Sequence, residues 1–577
     1  MDIIRRFSVY FHKYRVYAVL AVICIVVEMA FELIIPLIMA DLIDIGVANG
    51  DTAFIFRQGA LMCLCAVLAL ILGIGSARFV AACGNGLAAE IRKAEYAKIQ
   101  SFSFANRDRF RTESLVTRLT SDVTTIQNAI ISGMRPGVRG PFMMVMSIAM
   151  GFAINPKLAV IFLIAAPVLA IFLVQIVRRV GPLYSTMQGA IDQVNRVVQE
   201  NLTAIRIVKA YVRGDYESEK FGEVNDNLKS VSTRSFSTAV LNMPAMQFVM
   251  YTTILCILWI GGGMIQTGDL QVGKLTGFLS YVLQVLNSLM MISNVFLLLT
   301  RAGASAHRIL EVFDEPLDLA DADGANAVVE HGSVRFEHVS FQYRTGSANY
   351  VLSDINLDIK AGETVGIIGG TGSSKSTLVQ LIPRLYEATK GTVYVDGRPV
   401  REYPLAHLRD AIAMVLQKNT LFSGTVKENL RWGKADATDA EIEEACRVAC
   451  VDEFIGRLDN GYDTDLGQGG VNVSGGQKQR LCIARAILKK PKVLILDDST
   501  SAVDMVTEAK LREGLAKCLP DTTKIIIAQR ISSVLHADKI VVLNDGRIDA
   551  VGDHWSLMES NEIYRDIYQS QQEGAGL

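Results

Sequence analysis

Long apolar runs in the first 305 residues constrain this chain more than any other feature of its sequence. A helix needs about 20 mostly apolar residues to cross the hydrocarbon core of a bilayer. The mean hydropathy of the whole chain is +0.29, and the apolar excess lies in this first part. The sequence therefore predicts a membrane domain, with spans over about residues 17–45, 60–80, 140–154 plus the preceding turn, 158–177, 243–265 and 275–299.

The segments between the spans predict their orientation. The turn Asn49–Thr52 is short and carries no Lys or Arg, whereas the segments after the second and fourth spans are long and basic. The positive-inside rule therefore places both long segments and both termini in the cytosol. Helical periodicity continues through 188–212, so these helices are predicted to extend beyond the bilayer. Breaks at FSFANRDRF (102–110) and RGDYES (213–218) predict turns at their cytosolic tips, suited to contact with a soluble domain.

Two acidic residues, Glu28 and Glu32, lie inside the first predicted span. Their spacing of four places them on one face of a helix. Ionisable residues inside a span are functional candidates, and two readings stay open: contact with a substrate or gate, or acids that face a wet interface between helices. The methionines of Met143–Met150 supply either a flexible apolar face for hydrophobic ligands or plain packing. These residues suggest a cavity for hydrophobic small molecules, lipophilic cations among them.

The second half of the chain has the pattern of a soluble α/β domain. Residues 311–331, which begin EVFDEPLDLADADGANAV, are acidic and have little periodicity, so they predict a linker. From residue 332 short apolar strands alternate with helices, as in an α/β domain. The net charge of −2 gives no indication of a nucleic-acid partner. The predicted organisation is a helical membrane domain over 1–310, the linker, and an α/β domain over 332–577.

A glycine-rich segment of this domain, GGTGSSKST, predicts a phosphate-binding loop. The strand TVGIIG leads into it and the helical run LVQLIPRLY follows it, which is the context that such a loop needs. Backbone N–H groups would hold the phosphates, Lys375 would add a cation, and Ser376 would ligate Mg²⁺. Ser374 departs from the pattern, which has glycine before the lysine. The predicted phosphate ligands are Gly369, Gly370, Thr371, Gly372, Ser373, Ser374, Lys375, Ser376 and Thr377.

Two further segments carry residues suited to nucleotide chemistry. The strand KVLILDD ends in two acids, of which Asp497 is predicted to bind Mg²⁺ and Asp498 to polarise an attacking water. The segment VSGGQKQR begins a helix, whose exposed N–H groups suit a second phosphate. The first residues of this SGGQ segment are Ser474, Gly475, Gly476 and Gln477.

These motifs, in this order after six apolar spans, resemble those of the ATP-binding cassette (ABC) transporters. The whole chain looks like a half-transporter of the bacterial multidrug and lipid exporter type. The resemblance implies a type IV membrane domain of six helices followed by an ABC nucleotide-binding domain, with ATP and Mg²⁺ as ligands. In that family two nucleotide domains associate head to tail, and each ATP lies between one domain's phosphate loop and the other's SGGQ segment. A second half-transporter would explain why one domain carries two phosphate sites.

The resemblance also assigns roles to residues outside these segments. Tyr343 matches the aromatic residue that stacks on adenine, and Gln417 matches the glutamine that contacts Mg²⁺ and water and links to the membrane domain. Asp504, in STSAVD, matches the loop that contacts the opposite ATP site. Segments 102–110 and 213–218 match the coupling turns, the second of which normally inserts into the partner's nucleotide domain.

The chain departs from the family pattern at the ATP site on its own phosphate loop. Asp498 stands where the family has Glu, Gln529 where it has His, and Ser374 where it has Gly. The acid is one methylene short, and Gln cannot become cationic or exchange a proton near neutral pH. The SGGQ segment, which serves the partner's ATP, is intact. These changes predict a degenerate site in one subunit of a heterodimer.

The expected function is ATP-driven export of hydrophobic drugs or lipids across the plasma or inner membrane by alternating access. The nucleotide domain would lie in the cytosol, with Asp498, Gln529 and Gln417 as the catalytic residues of a weak site. Two alternatives stay open. One is a homodimeric lipid or peptide exporter with tolerated substitutions, and the other is a nucleotide-gated regulatory subunit without coupled transport.

Overall fold

Contacts divide the chain into two compact units. One comprises Met1–Gln100 and Thr112–Glu315, and the other comprises Ser101–Arg111 and Pro316–Leu577. In its described part the first unit consists of helices and turns, whereas the second contains both strands and helices. The structure is a computed structural model that describes residues 2–319, 321, 327–343, 349–499 and 503–574.

The first unit contains very long helices. Thr52–Gln100 has 49 residues and Pro156–Thr203 has 48, about 70 Å each at 1.5 Å per residue. A bilayer core is about 30 Å thick, so both helices extend well beyond it, as predicted. The periodic segment 188–212 is not one helix, however, because the chain breaks at Ala204 before the short helix Ile205–Ala210. The other helices are Asp2–Phe11, Arg15–Asp41, Thr112–Thr117, Val123–Ile154, Ile205–Ala210, Gly214–Val240, Asn242–Gln266 and Val272–Asp314, with a 3₁₀ turn at His12–Tyr14 and π-helical turns at Leu42–Val47 and Arg118–Asp122.

Several helices of this unit are able to cross a membrane. The predicted span 158–177 lies within Pro156–Thr203, where several side chains are outside the described part of the chain. The third span is longer than predicted, because Val123–Ile154 stays helical through Pro136 and Pro141. Among the described residues, five segments are long and apolar enough to span: Arg5–Val47, Thr52–Gln100, Thr112–Ile154, Gln247–Gln266 and Val272–Asp314.

The second predicted coupling turn lies slightly earlier in the chain than the sequence indicated. The chain reverses at residues 211–213, where Val212 has a φ of 53°. Residues 214–218, predicted as part of the turn, already belong to helix Gly214–Val240. The acidic residues Asp215 and Glu217 in its first turn favour this start, because the helix dipole stabilises negative charge there.

The first predicted coupling turn, 102–110, belongs to the second unit and folds into a short helix, Phe104–Arg109. The ring of Phe104 packs against Tyr386, with 5.9 Å between the ring centroids. The hydroxyl of Tyr386 donates a hydrogen bond to Asp108 Oδ2 at 2.8 Å. An apolar contact and a polar one therefore hold this segment on the α/β core.

The second unit contains ten strands in two sheets over its described residues. They are β1 (Val334–Phe341), β2 (Leu352–Ile359), β3 (Thr364–Ile368), β4 (Lys390–Val395), β5 (Arg398–Pro399), β6 (Ile412–Val415), β7 (Val493–Asp497), β8 (Thr523–Ile527), β9 (Lys539–Asn544) and β10 (Arg547–Gly552). The smaller sheet is antiparallel, in the order β2-β1-β4-β5. The larger has the order β10-β9-β3-β8-β7-β6 and is parallel except at β10.

The parallel part of the larger sheet positions the residues of interest. All five residues of β7 are buried, as is typical of a parallel sheet covered on both faces. Carboxyl ends of parallel strands meet at one edge, so the residues that follow β3, β8, β7 and β6 come together there. The helices of this unit, besides the one in segment 101–111, are Lys375–Gln380, Leu405–Ala411, Val426–Leu430, Asp439–Val448, Asp452–Ile455, Gly475–Leu488, Met505–Cys518, His554–Ser560 and Glu562–Gly574, with 3₁₀ turns at Val400–Glu402, Gly461–Asp463 and Ile531–Ser533.

Candidate functional site

The glycine-rich loop Gly369–Thr377 follows β3 at the carboxyl edge of the larger sheet. Gly369 has a φ of 157°, and a Cβ built there would lie 2.1 Å from Leu543 O, so only glycine fits. A Cβ at Gly370 would meet no atom within 4 Å. The loop is thus packed tightly at its start and open in front, which leaves room for a ligand against its backbone.

Ser374, the residue that departs from the phosphate-loop pattern, adopts a left-handed conformation with φ 72° and ψ 24°. A non-glycine residue in this region costs about 1–2 kcal/mol. The loop therefore keeps the backbone angle of a glycine while it carries a serine.

Lys375 lies folded into the loop. Its Nζ donates hydrogen bonds to the carbonyl oxygens of Gly369 and Gly370, each at 2.8 Å. Burial lowers the pKa of Lys375, while the nearby carboxylates of Asp498 and Asp497 act in the opposite direction. A phosphate would supply the negative charge that such a buried ammonium group favours.

A hydroxyl and a carboxylate lie next to this loop. Ser376 Oγ donates to Asp497 Oδ1 at 2.8 Å. Burial raises the pKa of Asp497, and the hydrogen bond from Ser376 only partly offsets this. A bound cation would stabilise the charged carboxylate, and hard oxygen ligands are those that Mg²⁺ prefers. The pair therefore fits Mg²⁺ that takes its remaining ligands from nucleotide phosphates and water.

Asp498 accepts hydrogen bonds from two glutamine side chains. Gln529 Nε2 donates to Asp498 Oδ2 at 2.7 Å, and Gln417 Nε2 donates to the same oxygen at 3.4 Å. These residues follow β7, β8 and β6, three neighbouring strands of the larger sheet. The strand order thus brings together three residues that are widely separated in the sequence.

These groups line one cavity of about 500 Å³. Besides the loop, Gln417, Gln529 and the two acids, its lining includes Ile527 and Ile567. Ile567 lies in the C-terminal helix Glu562–Gly574, about 190 positions after the loop. The sequence carries no motif around Ile567, so only the fold assigns this helix to the cavity.

Tyr343 reaches the loop through its hydroxyl, which lies 2.9 Å from Thr377 Oγ1. Its ring makes edge contacts with Phe341 and Tyr386, with centroid separations of 4.9 and 5.2 Å. The side chain is 47% exposed. An exposed ring held at the end of a phosphate loop suits stacking on a nucleotide base.

Comparison with known proteins identifies the family. The model of the ABC transporter transmembrane region matches residues 18–289, and that of the ABC transporter domain matches 352–501. Over 558 residues the chain is 40% identical to the uncharacterized ABC transporter ATP-binding protein YfiB of Bacillus subtilis, with 97% of each chain covered. The chain belongs to the ABC transporters.

Further comparisons refine this assignment. The chain is 31% identical to the putative multidrug export ATP-binding/permease protein YgaD of B. subtilis, covering 99% of this chain and 100% of YgaD. A solved bacterial Atm1-family ABC exporter with ATP bound superposes with a TM-score of 0.83, at 24% identity, over 96% of this chain and 98% of the other. The protein is therefore a multi-pass ABC exporter half-transporter, related to multidrug export proteins, with an ABC ATP-binding domain.

The SGGQ segment of this ABC domain is preorganised at a helix start. Ser474 Oγ accepts from Gln477 N at 3.3 Å, and Gln477 Oε1 accepts from Ser474 N at 2.8 Å. This reciprocal capping box begins helix Gly475–Leu488 and leaves Ser474 and Gly475 exposed. The segment does not line the phosphate-loop cavity. Within this chain the predicted ATP residues therefore form two separate groups.

Asp504, predicted to contact the opposite ATP site, caps helix Met505–Cys518. Its Oδ1 accepts hydrogen bonds from Val506 N at 3.1 Å and Thr507 N at 2.9 Å. It does not line the phosphate-loop cavity either. Its position at an exposed helix start leaves it available to another chain.

The two acids of the first span face arginines. Glu28 pairs with Arg135 and Arg139, and Glu32 pairs with Arg139. Glu28, Glu32 and Arg135 line a groove of about 540 Å³ whose other walls are mainly apolar. Arg135 and Arg139 lie on helix Val123–Ile154. In the structure they balance the charge of both acids.

Proposed function

We propose that this half-transporter pairs with a different ABC half-transporter to export hydrophobic compounds, and that the ATP site on its own phosphate loop hydrolyses weakly. The observation that carries this proposal is the contact between Asp498 and Gln529. The two residues that would handle the attacking water and its proton are a short carboxylate and an amide, and they bind each other.

The cavity fits Mg²⁺-ATP by its chemistry. The loop Gly369–Thr377 would hold the phosphates, Lys375 would add positive charge, and Ser376 with Asp497 would hold Mg²⁺. When bound, ATP supplies the phosphoanhydride bond whose hydrolysis drives transport. Tyr343 would stack on the base, since aromatic rings stack on any nucleobase.

Two properties support weak hydrolysis at this site. Asp498 reaches one methylene less far than the family's Glu, and a misplacement of about 1 Å can cost on the order of 10²-fold in rate. Gln529 has no titratable proton near neutral pH, so it cannot exchange one with water or phosphate. The site would then retain ATP, which favours the closed state of the two nucleotide domains without turning over.

The intact SGGQ segment supports a heterodimer. Its capped helix start presents exposed N–H groups that suit a phosphate held by another chain. A partner with a complete set of catalytic residues would hydrolyse its ATP against this segment. Closure of the nucleotide domains would reach the membrane helices through the coupling turns and alternate the access of the substrate cavity.

The groove beside Glu28 and Glu32 supports hydrophobic substrates. Its walls include Leu70, Ile74 and Ala77 along with the charge-balanced residues. A mainly apolar groove with few charged groups suits amphipathic compounds such as drugs or lipids. Export of a cationic and an anionic dye from vesicles, by the wild type and by Glu32→Ala, distinguishes their charge preference. Loss of cation export alone would assign Glu32 to substrate contact.

The decisive experiment compares ATPase activity of this chain alone with that of the chain purified together with the half-transporter encoded by a neighbouring gene. We expect little turnover alone and robust turnover for the pair. Strong turnover by the chain alone would refute the heterodimer and favour a homodimeric exporter.

A further inference from the structure

The C-terminal helix Glu562–Gly574 touches the ATP site at two points. Ile567 lines the phosphate-loop cavity. One turn later, Gln571 Nε2 donates to the backbone carbonyl of Gln529 at 2.7 Å, and Gln571 Oε1 accepts from Ile531 N at 2.9 Å. The side chain of Gln571 thus makes hydrogen bonds to the backbone on both sides of Arg530.

The backbone that Gln571 bonds belongs to Gln529, a residue of the ATP site. Gln529 places its side-chain amide 2.7 Å from Asp498 Oδ2. The chain of contacts therefore runs from Gln571 through the backbone of Gln529 to Asp498. Movement of the C-terminal helix would change where the amide of Gln529 points.

The C-terminal helix is itself held in place by buried contacts, which fix the position of Gln571. Tyr564 is fully buried, and its hydroxyl lies 2.9 Å from His554 Nδ1. Its backbone N–H donates to Asn561 Oδ1 at 2.8 Å. Ile531, at the far end of the gripped segment, packs in the same apolar cluster as Tyr564.

We propose that Gln571 is a positioning residue that sets the loop around Gln529, so that the C-terminal helix tunes the γ-phosphate side of this ATP site. The inference rests on the proposed binding of ATP at the phosphate loop. The alternative is a purely structural role. The 3₁₀ turn begins at Ile531, and Gln571 would only accept a hydrogen bond from the otherwise unpaired N–H of Ile531. Only a positioning role predicts that loss of Gln571 changes the preference of the site for ATP over ADP.

The test compares Mg²⁺-ATP and Mg²⁺-ADP binding to the full-length chain in lipid nanodiscs. Gln571→Met removes both hydrogen bonds at similar length, and Gln571→Glu keeps the acceptor for Ile531 N but loses the donor. Gln572→Met is the matched control, because Gln572 lies next to it and bonds only Tyr568 OH among the described contacts. The rate of backbone amide hydrogen exchange at residues 528–532, measured without nucleotide, reports directly on the hydrogen bonds of Gln571.

We expect Gln571→Met to lower the preference for ATP over ADP by about 3- to 10-fold, the effect of one or two lost hydrogen bonds. Exchange at 528–532 would rise, Gln571→Glu would show an intermediate effect, and Gln572→Met would match the wild type. If hydrogen exchange at 528–532 became faster in both Gln571 variants while the preference for ATP over ADP stayed the same, Gln571 would act only as a helix cap. That result would overturn the proposal. So would unchanged exchange in Gln571→Met. If the wild type binds no ATP, the proposed function itself fails; if it binds ATP but Gln571→Met equals Gln572→Met, only this inference fails.

Discussion

The side-chain amide of Gln529 donates to Asp498 Oδ2 at 2.7 Å, across two neighbouring parallel strands. In an exporter that hydrolyses ATP at this site, these two positions would handle the attacking water and its proton. Here an acceptor and a donor bind each other, and the amide of Gln529 has no proton that titrates near neutral pH. The contact leads directly to the first prediction.

Restoring the family residues should increase hydrolysis. In the double variant Asp498→Glu with Gln529→His, we expect ATPase activity at this chain's own site to rise on the order of 10²-fold, because the longer carboxylate and the titratable ring supply the missing chemistry. The measurement is phosphate release by the purified full-length chain. Asp498→Asn, which keeps the size but removes the charge, serves as the control. An unchanged rate in the double variant would mean that the limit lies elsewhere.

Relief of loop strain should stabilise the α/β unit. Ser374 has a φ of 72°, where glycine avoids a cost of about 1–2 kcal/mol. Because this angle belongs to the folded loop, we expect Ser374→Gly to raise the free energy of unfolding by up to about 1–2 kcal/mol. Thermal unfolding of the full-length chain in detergent measures this. Ser374→Ala keeps the strain and should unfold like the wild type; equal gains in both variants would rule out the backbone explanation.

Tyr343 should contribute through its ring more than through its hydroxyl. Tyr343→Ala is expected to weaken ATP binding about tenfold, since stacking of an aromatic ring on a base is worth about 1–3 kcal/mol. Tyr343→Phe loses only the contact with Thr377 Oγ1 at 2.9 Å and should change affinity little. The comparison uses equilibrium binding to the full-length chain. A large loss in Tyr343→Phe would instead assign the main role to the hydroxyl.

Asp396 should make the stability of the α/β unit depend on acid pH. Burial disfavours its charge, but hydrogen bonds from four backbone N–H groups, of residues 330–333, outweigh this and lower the pKa of Asp396. Its stabilising effect is therefore present above the ordinary pKa of 3.8 and is lost as pH falls through the lower folded-state value.

Asp396→Asn should accordingly destabilise the protein by about 1–3 kcal/mol at neutral pH. The deficit should shrink as pH falls from 3.8 through the lower folded-state pKa of Asp396, where the folded wild-type carboxyl takes up its proton. Thermal unfolding of the full-length chain in detergent, over a pH series, measures both effects. A deficit that is constant with pH would show that the carboxylate charge is not the cause.

Local patterns were enough to predict much of this protein. Apolar run lengths predicted the membrane helices, and the strand–loop–helix pattern around GGTGSSKST predicted the phosphate loop. The SGGQ segment predicted a helix start with exposed N–H groups, and the family comparisons confirm an ABC transporter. Such features depend on residues that are close in the sequence, so the sequence contains all the information that they need.

Other features depended on contacts between distant residues. The strand order β3-β8-β7-β6 brings Gln529 and Gln417 to Asp498, and the sequence alone does not give strand order. The pairing of Glu28 with Arg135 likewise needs two helices to meet.

The sequence by itself thus determined that this chain has a membrane domain and an ABC ATP-binding domain with a phosphate loop, and that Ser374, Asp498 and Gln529 depart from the family pattern. Only the tertiary structure decided that Ser374 carries a left-handed backbone, that Asp498 and Gln529 bind each other, and that Gln571 bonds the backbone of Gln529 and Ile531. The reason is physical: a backbone angle and a hydrogen bond between remote residues are fixed by packing of the whole unit, not by neighbouring residues in the chain.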